Sequence, residues 1–240
     1  MRKNILKLII LCSTGYAVVR MLHWPMGFTF FTQLSNLYVA AVVFCQIVSG
    51  RPFRLWKYTA VVSILITFLV YLFVLAPMEP KGIAAAYRQD HYASLCLHLI
   101  TPFAATADFL LHDADYPWER KHLGIALFPP VAYLLFILTL GQAGVRWGAR
   151  QMTAPYPFLN YNAPAGWFGF RPDTKGYTTL GIGVFYAILM LLALFLAVGW
   201  VLQAIVRRRS KKCRIKRSGD TLQPGENPVK YSYYIGKERR

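Results

Sequence analysis

Residues 91–112 read HYASLCLHLITPFAATADFLLH, and this stretch decides the class of fold. As a helix it extends about 33 Å, which matches the ~30 Å hydrocarbon core of a lipid bilayer. Apart from its histidines, only Asp108 in this stretch carries a charge at neutral pH. We therefore predict a membrane-spanning helix over residues 91–112.

The composition extends this interpretation to most of the chain. Of the 240 residues, 56% are hydrophobic and 15% are charged, and the mean hydropathy is +0.37. So few polar side chains cannot cover a water-soluble surface. We predict an all-α polytopic membrane protein, with a six-transmembrane-helix bundle over residues 1–206. The predicted spans are about 5–22, 28–49, 57–77, 91–112, 123–143 and 178–206.

The first predicted span is the shortest apolar run, because only 12 uncharged residues separate Lys7 from Arg20. Both side chains can extend along the helix toward the membrane surface. The basic start is also typical of a signal peptide, but no small-x-small cleavage site follows. A retained signal anchor is therefore predicted.

The distribution of Lys and Arg predicts the orientation. Six spans place both termini on one side of the membrane, and that side collects 20 basic residues against seven on the other. Basic loops are retained in the cytoplasm. We therefore expect both termini to be cytoplasmic in a multi-pass protein of the cell membrane.

Residues 207–240 form a basic tail with 12 Lys or Arg and three acidic residues. The segment is polar and has no apolar period, so we predict a disordered cytoplasmic tail. It is expected to contact anionic lipid head groups, at about 1 kcal/mol per basic residue near the surface. Nucleic-acid binding is not expected, because the aromatic or groove-reading elements that it needs are missing.

Residues 144–177 form a long outer loop that is rich in proline and aromatic residues. Long loops of this kind are usually functional or disordered, and aromatic residues argue against disorder. The loop is predicted to be either a lid on the membrane surface or an aromatic belt that fixes depth. Its aromatic residues are Trp147, Tyr156, Phe158, Tyr161, Trp167, Phe168 and Phe170.

The sequence contains no P-loop and no G-x-S-x-G, H-E-x-x-H or C-x-x-C motif. No soluble-enzyme class, metal site or cofactor is therefore indicated. Polar residues inside membrane spans are costly and are the functional candidates in such a chain.

The fourth predicted span carries the strongest pattern of such residues. One helical face is polar along its whole length, so it must face the bundle interior or a wet cavity. Pro102 leaves the carbonyl of His98 without its helical donor, which predicts a kink beside an imidazole able to act as a base. The stripe consists of His91, Ser94, His98, Thr101, Ala105, Asp108 and His112.

The second predicted span offers a partner for His98. Thr29, Thr32, Gln33 and Asn36 share one face near its outer end. In the predicted orientation Thr32 and His98 lie roughly 6 and 10 Å deep, so contact is possible. A hydroxyl beside a histidine is the minimal nucleophile–base pair, although such hydroxyls more often bond to backbone. Asp108 lies too far from His98 for a triad, and Arg20 is a conceivable partner for it.

At these residues the sequence resembles the androgen-induced-gene family of six-span membrane proteins and its prokaryotic six-transmembrane relatives. The resemblance covers most of residues 5–206. Pro102 stands one position earlier after the histidine than in the family, and Thr32-Gln33-Leu34-Ser35-Asn36 is closer to the prokaryotic relatives. The matching pieces are residues 31–37, His98 through Pro102, Asp115-Tyr116-Pro117 and residues 156–160.

The resemblance implies an intramembrane threonine hydrolase that cleaves lipid esters such as fatty acid esters of hydroxy fatty acids. By motif position, Thr32 is the expected nucleophile and His98 the expected base. Other polar residues of the two spans and the loop are candidates for oxyanion stabilisation or substrate lining. They are Gln33, Ser35, Asn36, Ser94, Thr101, Tyr156 and Asn160.

Two other function classes fit the sequence. A transporter or proton-coupled carrier would use the stripe from His91 through Asp108 to His112, although no repeat between the two halves of the chain supports one. Activity lost in His98→Ala but kept in Thr32→Ala would favour this class. A non-catalytic membrane scaffold would act through the tail, so deletion of the tail alone should abolish its function.

Overall fold

The computed structural model describes residues 4–113, 118–171 and 181–220, with side chains up to Arg209. Within these ranges the chain is all-α, and its only strand-like pairings are two isolated bridges in the long loop. The helices are α1 (Ile5–Met21), α2 (Phe31–Ser49), α3 (Arg54–Val70), α4 (Ile83–Leu95), α5 (Thr101–His112), α6 (Lys121–Ile125), α7 (Phe128–Gln142) and α8 (Val184–Asp220).

Among the residues that the structure describes, five helical segments are long and apolar enough to cross a membrane, which fits a multi-pass integral membrane protein. The first predicted span forms α1, whose 17 residues extend about 26 Å. It is therefore shorter than the five. Those are Phe31–Ser49, Arg54–Met78, Ile83–His112, Lys121–Gln142 and Val184–Arg209.

The helix ends differ from the predicted spans at three places. Helix α3 begins at Arg54, so Lys57 lies inside it, and helical residues from Ile83 precede the predicted fourth span, with a non-helical break at residues 89–92. Helix α8 continues to Asp220, so residues 207–220 of the predicted disordered tail are helical. Arg and Lys are good helix formers, and their charges are favourable near a helix C-terminus. The rest of the predicted tail and the Asp115-Tyr116-Pro117 motif lie outside the described residues.

Two π-turns interrupt the long helices, and a proline follows each of them. Tyr71–Leu75 extends α3, with the Ala76 N–H donating to the Tyr71 carbonyl and Pro77 next. Cys96–Ile100 joins α4 to α5, with the Thr101 N–H donating to the Cys96 carbonyl and Pro102 next. Proline lacks an N–H, so the helix satisfies its carbonyls with a wider turn. The kink predicted at His98 is this second π-turn.

Helix α4 contains a short left-handed segment, hereafter the left-handed turn, formed by Asp90, His91 and Tyr92. Their φ angles are +49°, +53° and +70°. Such a backbone costs about 1–2 kcal/mol per residue that is not glycine. The Tyr16 hydroxyl holds the turn by donating to the His91 carbonyl at 2.5 Å.

The long loop packs into the end of the bundle rather than lying flat beside it. Trp147, Tyr156 and Phe158 are buried, whereas Phe168 and Phe170 are exposed. Residues 166–169 cap α8, because the Gly183, Val184 and Phe185 N–H groups donate to carbonyls there at 2.8–3.1 Å. Such bonds satisfy the otherwise unpaired donors of a helix N-terminus. The described part of the loop therefore packs over one end of the bundle.

Candidate functional site

Thr32 lies in the first turn of α2, where the helix has unpaired N–H donors. The Thr32 N–H donates to the Tyr156 hydroxyl oxygen at 3.2 Å, and the Thr32 Oγ1 lies 3.3 Å from the same oxygen. Phe30, the residue before the helix, provides no side-chain cap. The loop phenol therefore caps α2 and fixes the Thr32 hydroxyl. Burial raises the pKa of Tyr156, so its hydroxyl remains a donor at neutral pH.

Thr32, His98 and Tyr156 line one cavity of about 270 Å³, hereafter the central cavity. Its size is close to the lower limit for pockets that bind small molecules. Three separate elements supply the three side chains: the start of α2, the π-turn before α5 and the loop. The start of α2 and the π-turn before α5 thus contribute side chains to the same cavity.

His98 is held by a ring stack. Its imidazole lies on the Tyr71 phenol with ring centroids 3.5 Å apart and an interplanar angle of 8°. Each of the two rings comes from a π-turn, and the Tyr71 hydroxyl bonds to Ser94 Oγ at 2.7 Å and to the Ala86 carbonyl at 2.8 Å. The His98 Nδ1 is buried without a hydrogen-bond partner among the described residues. This leaves Nε2 as the ring nitrogen available to a group in the cavity.

Thr32 and His98 share the central cavity without a hydrogen bond between their side chains in the described structure. The side chain of Asn36 connects the two elements through their backbones. Its Nδ2 donates to the Thr32 carbonyl at 2.8 Å and to the Leu97 carbonyl at 3.2 Å. Both side chains therefore border a space that a substrate group or water could enter.

A second, apolar pocket lies on the other side of Thr32. The narrow space, about 50 Å³, shares Thr32, Leu75 and Tyr156 with the central cavity. Thr32 and Tyr156 therefore stand in a wall between an apolar space and a polar one. The rest of the apolar pocket is lined mainly by Phe31, Ile66, Val70, Tyr133, Leu191 and Phe195.

Three of the seven predicted lining residues belong to the central cavity, namely Gln33, Ser94 and Tyr156. Gln33 donates to the Met21 sulfur, and its Oε1 is buried without a partner among the described residues. A glutamine with this unused oxygen is a polar group that a ligand in the cavity could meet.

The other four predicted lining residues are not in the wall of the central cavity, and each forms hydrogen bonds within the bundle or the loop. Ser35 bonds to Thr67 and the Thr32 carbonyl, and Asn36 joins α2 to the π-turn. Thr101 bonds to Ser13 Oγ at 2.7 Å, which fixes α1 against α5. Asn160 accepts hydrogen bonds from Thr153 and Asn162, which organise the loop. These four side chains thus have hydrogen bonds within the fold, although the Asn36 Oδ1 is buried without a partner among the described residues.

The two ends of the predicted polar stripe have different environments. His91 is exposed in the left-handed turn, because the reversed backbone removes it from the face that Ser94 and His98 share. At the other end, Asp108 binds Lys57 and accepts from His112 Nδ1 at 2.9 Å, and Asp113 binds Lys57 at 2.5 Å. The partner of Asp108 is therefore Lys57 and not Arg20.

Sequence reasoning missed Tyr71, Lys57 and Asp90. Tyr71 is one of only two tyrosines in the predicted third span. A phenol inside an apolar span needs a polar partner, and this requirement could have marked Tyr71 as a candidate site residue. Lys57 was counted as a flanking charge, yet it is 1% exposed. Asp90 lines the central cavity, but it precedes the predicted start of the fourth span.

Together the described residues define an all-α bundle with a cavity lined in part by the loop, in a protein with five helices suited to a membrane. No known protein family, no curated protein and no solved structure matches this chain.

Proposed function

We propose that this chain is an intramembrane hydrolase of lipid esters, with Thr32 as nucleophile and His98 as base. The observation that carries the proposal is the position of Thr32, between the apolar pocket and the central cavity that His98 lines. A lipid ester has the same division, with an acyl chain on one side of the reacting carbonyl and a more polar alcohol on the other.

The reaction is an acyl transfer in two halves. His98 Nε2 takes the proton of Thr32, directly or through a water in the cavity, while Oγ1 forms a bond to the ester carbonyl carbon. The carbon–oxygen bond to the alcohol breaks, and the alcohol leaves with the proton that His98 received. Water then attacks the acyl carbon while His98 takes a proton from the water. His98 passes this proton to Thr32 Oγ1 as the bond between Oγ1 and the acyl carbon breaks, and the fatty acid is released.

Tyr156 supports this chemistry from the loop. Its hydroxyl lies 3.3 Å from Thr32 Oγ1, so it can orient the nucleophile and donate to the charge that develops on the carbonyl oxygen. The first turn of α2 also directs its positive end at this position. These are the features that acyl-transfer sites require around a hydroxyl nucleophile.

We further propose that α1 is a sixth span and that both termini are cytoplasmic. The proposal is supported by the excess of Lys and Arg on one side of the predicted membrane, and by Lys7 and Arg20 near the two ends of α1. Cell-membrane residence and contact of the basic tail with anionic head groups belong to the same proposal.

The test is labelling by a fluorophosphonate probe in lipid nanodiscs. Thr32→Val and His98→Gln are expected to abolish labelling, because one removes the nucleophile and the other the base. Thr106→Val and His23→Gln are matched controls, since Thr106 bonds only to the Pro102 carbonyl and His23 is exposed. Unlabelled wild type, beside a known hydrolase that labels, contradicts the proposal.

A transporter is the second candidate, and the buried charges around Lys57 favour it. Against a continuous path, Thr101 and Ala105 are fully buried between His98 and Asp108, and Thr101 is bonded to Ser13. Proton flux in liposomes distinguishes the two classes, since a carrier requires Asp108 but not Thr32.

A further inference from the structure

The described wall of the central cavity carries one carboxylate, and its basic side chain is the imidazole of His98. Asp90 supplies the carboxylate, and none of the described lining residues is Lys or Arg. Lys81 and Arg88, the basic residues of the same segment, are exposed and do not belong to that wall. The negative charge of Asp90 is therefore not offset by a Lys or Arg in the described wall.

The Asp90 carboxylate is available to a ligand. It is exposed at the mouth, and none of the salt bridges within the described ranges includes it. The neighbouring Gln89 is held by Glu79, which accepts from its Nε2 at 2.9 Å, so a second carboxylate lies close to this segment. The left-handed turn fixes the backbone of Asp90, and aspartate tolerates that conformation better than most residues.

In the proposed hydrolase the central cavity holds the alcohol part of the lipid ester. The narrow apolar pocket lies on the acyl side, and the two spaces meet at Thr32 and Tyr156. An anionic alcohol part would lose hydration and find no cation among the described lining residues, which is costly. A cationic alcohol part would instead be attracted by Asp90.

On the basis of the proposed hydrolase function, we propose that the site selects esters with a cationic or neutral alcohol part and discriminates against esters whose alcohol part carries a carboxylate. Under this proposal the hydroxy fatty acid esters that the family resemblance implies are poor substrates, because those esters carry a free carboxylate on the alcohol part. Asp90 is the specificity-determining residue.

The experiment compares three palmitate esters in nanodiscs of neutral lipid: palmitoylcholine, 2-hydroxyethyl palmitate and O-palmitoylglycolate. Release of palmitate below saturation gives kcat/KM for each ester, after subtraction of the rate in Thr32→Val. We expect the order cationic, neutral, anionic. In Asp90→Asn the ratio of cationic to anionic ester is expected to fall about tenfold at low salt, and less at high salt.

Asp90→Asn is designed to keep the fold, because asparagine also accepts a left-handed backbone. Glu119→Gln is the control for loss of one negative charge; Glu119 is exposed and paired with Lys121, so the ratio should not change. An anionic ester cleaved as well as the other two, or a ratio unchanged in Asp90→Asn, overturns this inference and leaves the hydrolase proposal intact. Absence of Thr32-dependent release from all three esters overturns both.

Discussion

The Lys57 ammonium on α3 is bound to the Asp108 carboxylate on α5, and both side chains are almost fully buried. Asp113 supplies a second carboxylate to the same ammonium at 2.5 Å. Lys57 and Asp108 are 51 positions apart in sequence, so the pair joins two distant helices. A buried charge needs such partners, because its desolvation costs several kcal/mol.

Lys57→Met is expected to destabilise the protein by about 3–5 kcal/mol, because two buried carboxylates lose their cation. Thermal unfolding in detergent measures this change. Lys121→Met is the control: Lys121 forms an exposed pair with Glu119, and such pairs contribute about 0–1 kcal/mol. Equal melting temperatures for the two variants would show that the buried pair adds no stability.

Tyr156→Phe is expected to lower the rate of fluorophosphonate labelling about tenfold, which corresponds to about 1.4 kcal/mol. The substitution keeps the ring but removes the oxygen that meets the Thr32 N–H and hydroxyl. Tyr161→Phe removes a loop phenol that is stacked on Trp167 and should label at the wild-type rate. If both variants label like wild type, Tyr156 does not orient the nucleophile.

Tyr71→Leu is expected to slow labelling about fivefold to tenfold, because a stacked ring pair contributes about 0.5–1.5 kcal/mol and the imidazole loses its platform. Tyr71→Phe keeps the stack and loses only the bonds to Ser94 and Ala86, so its rate should stay within about threefold of wild type. The two labelling rates, measured on correctly folded protein, check the prediction. Equal loss in both variants would assign the effect to the hydroxyl.

His91→Val is expected to destabilise the protein by about 1–2 kcal/mol, because a β-branched residue fits a left-handed backbone poorly. His91→Asn should be neutral, since asparagine accepts this conformation. The His91 side chain is exposed, so lost packing would contribute little to either result. Thermal unfolding of the pair therefore isolates the backbone, and a stable valine variant would contradict the left-handed turn.

Gly183→Ala is expected to disrupt the junction of the loop and α8. A Cβ at this position would lie 2.3 Å from the Trp167 carbonyl oxygen, in the region that caps the helix. Gly15→Ala is the control, because no atom lies within 4 Å of its added Cβ and alanine should stabilise α1 by about 0.5–1 kcal/mol. Limited proteolysis of the loop and thermal unfolding measure the two effects.

The sequence was sufficient to predict an all-α bundle, and it indicated Thr32 and His98 as candidates, which line one cavity in the structure. Both results follow from local patterns: long apolar runs, and polar residues repeated on one helical face. Their hydrogen-bond partners were beyond such reasoning. Tyr156 reaches Thr32 across 124 positions, and no local period encodes a contact of that separation.

Lys57 shows why a charged residue can mislead a prediction of spans. A charge near the end of an apolar run normally marks the membrane boundary, and the predicted third span accordingly begins at Lys57. Its burial depends on Asp108 and Asp113 from another helix. The left-handed turn is a similar case, because the sequence Gln89-Asp90-His91-Tyr92 contains no glycine to indicate a positive φ.

The π-turn at Cys96–Ile100 sets the angular phase of the fourth helix. An α-helix advances 100° per residue, so removal of one residue from this turn would rotate the helical residues before it, Ser94 among them, by about that angle relative to α5. Asp108 would still face Lys57, but Ser94 would turn away from Tyr71. One inserted residue thus allows the charged end and the cavity end of the same span to face two independent directions.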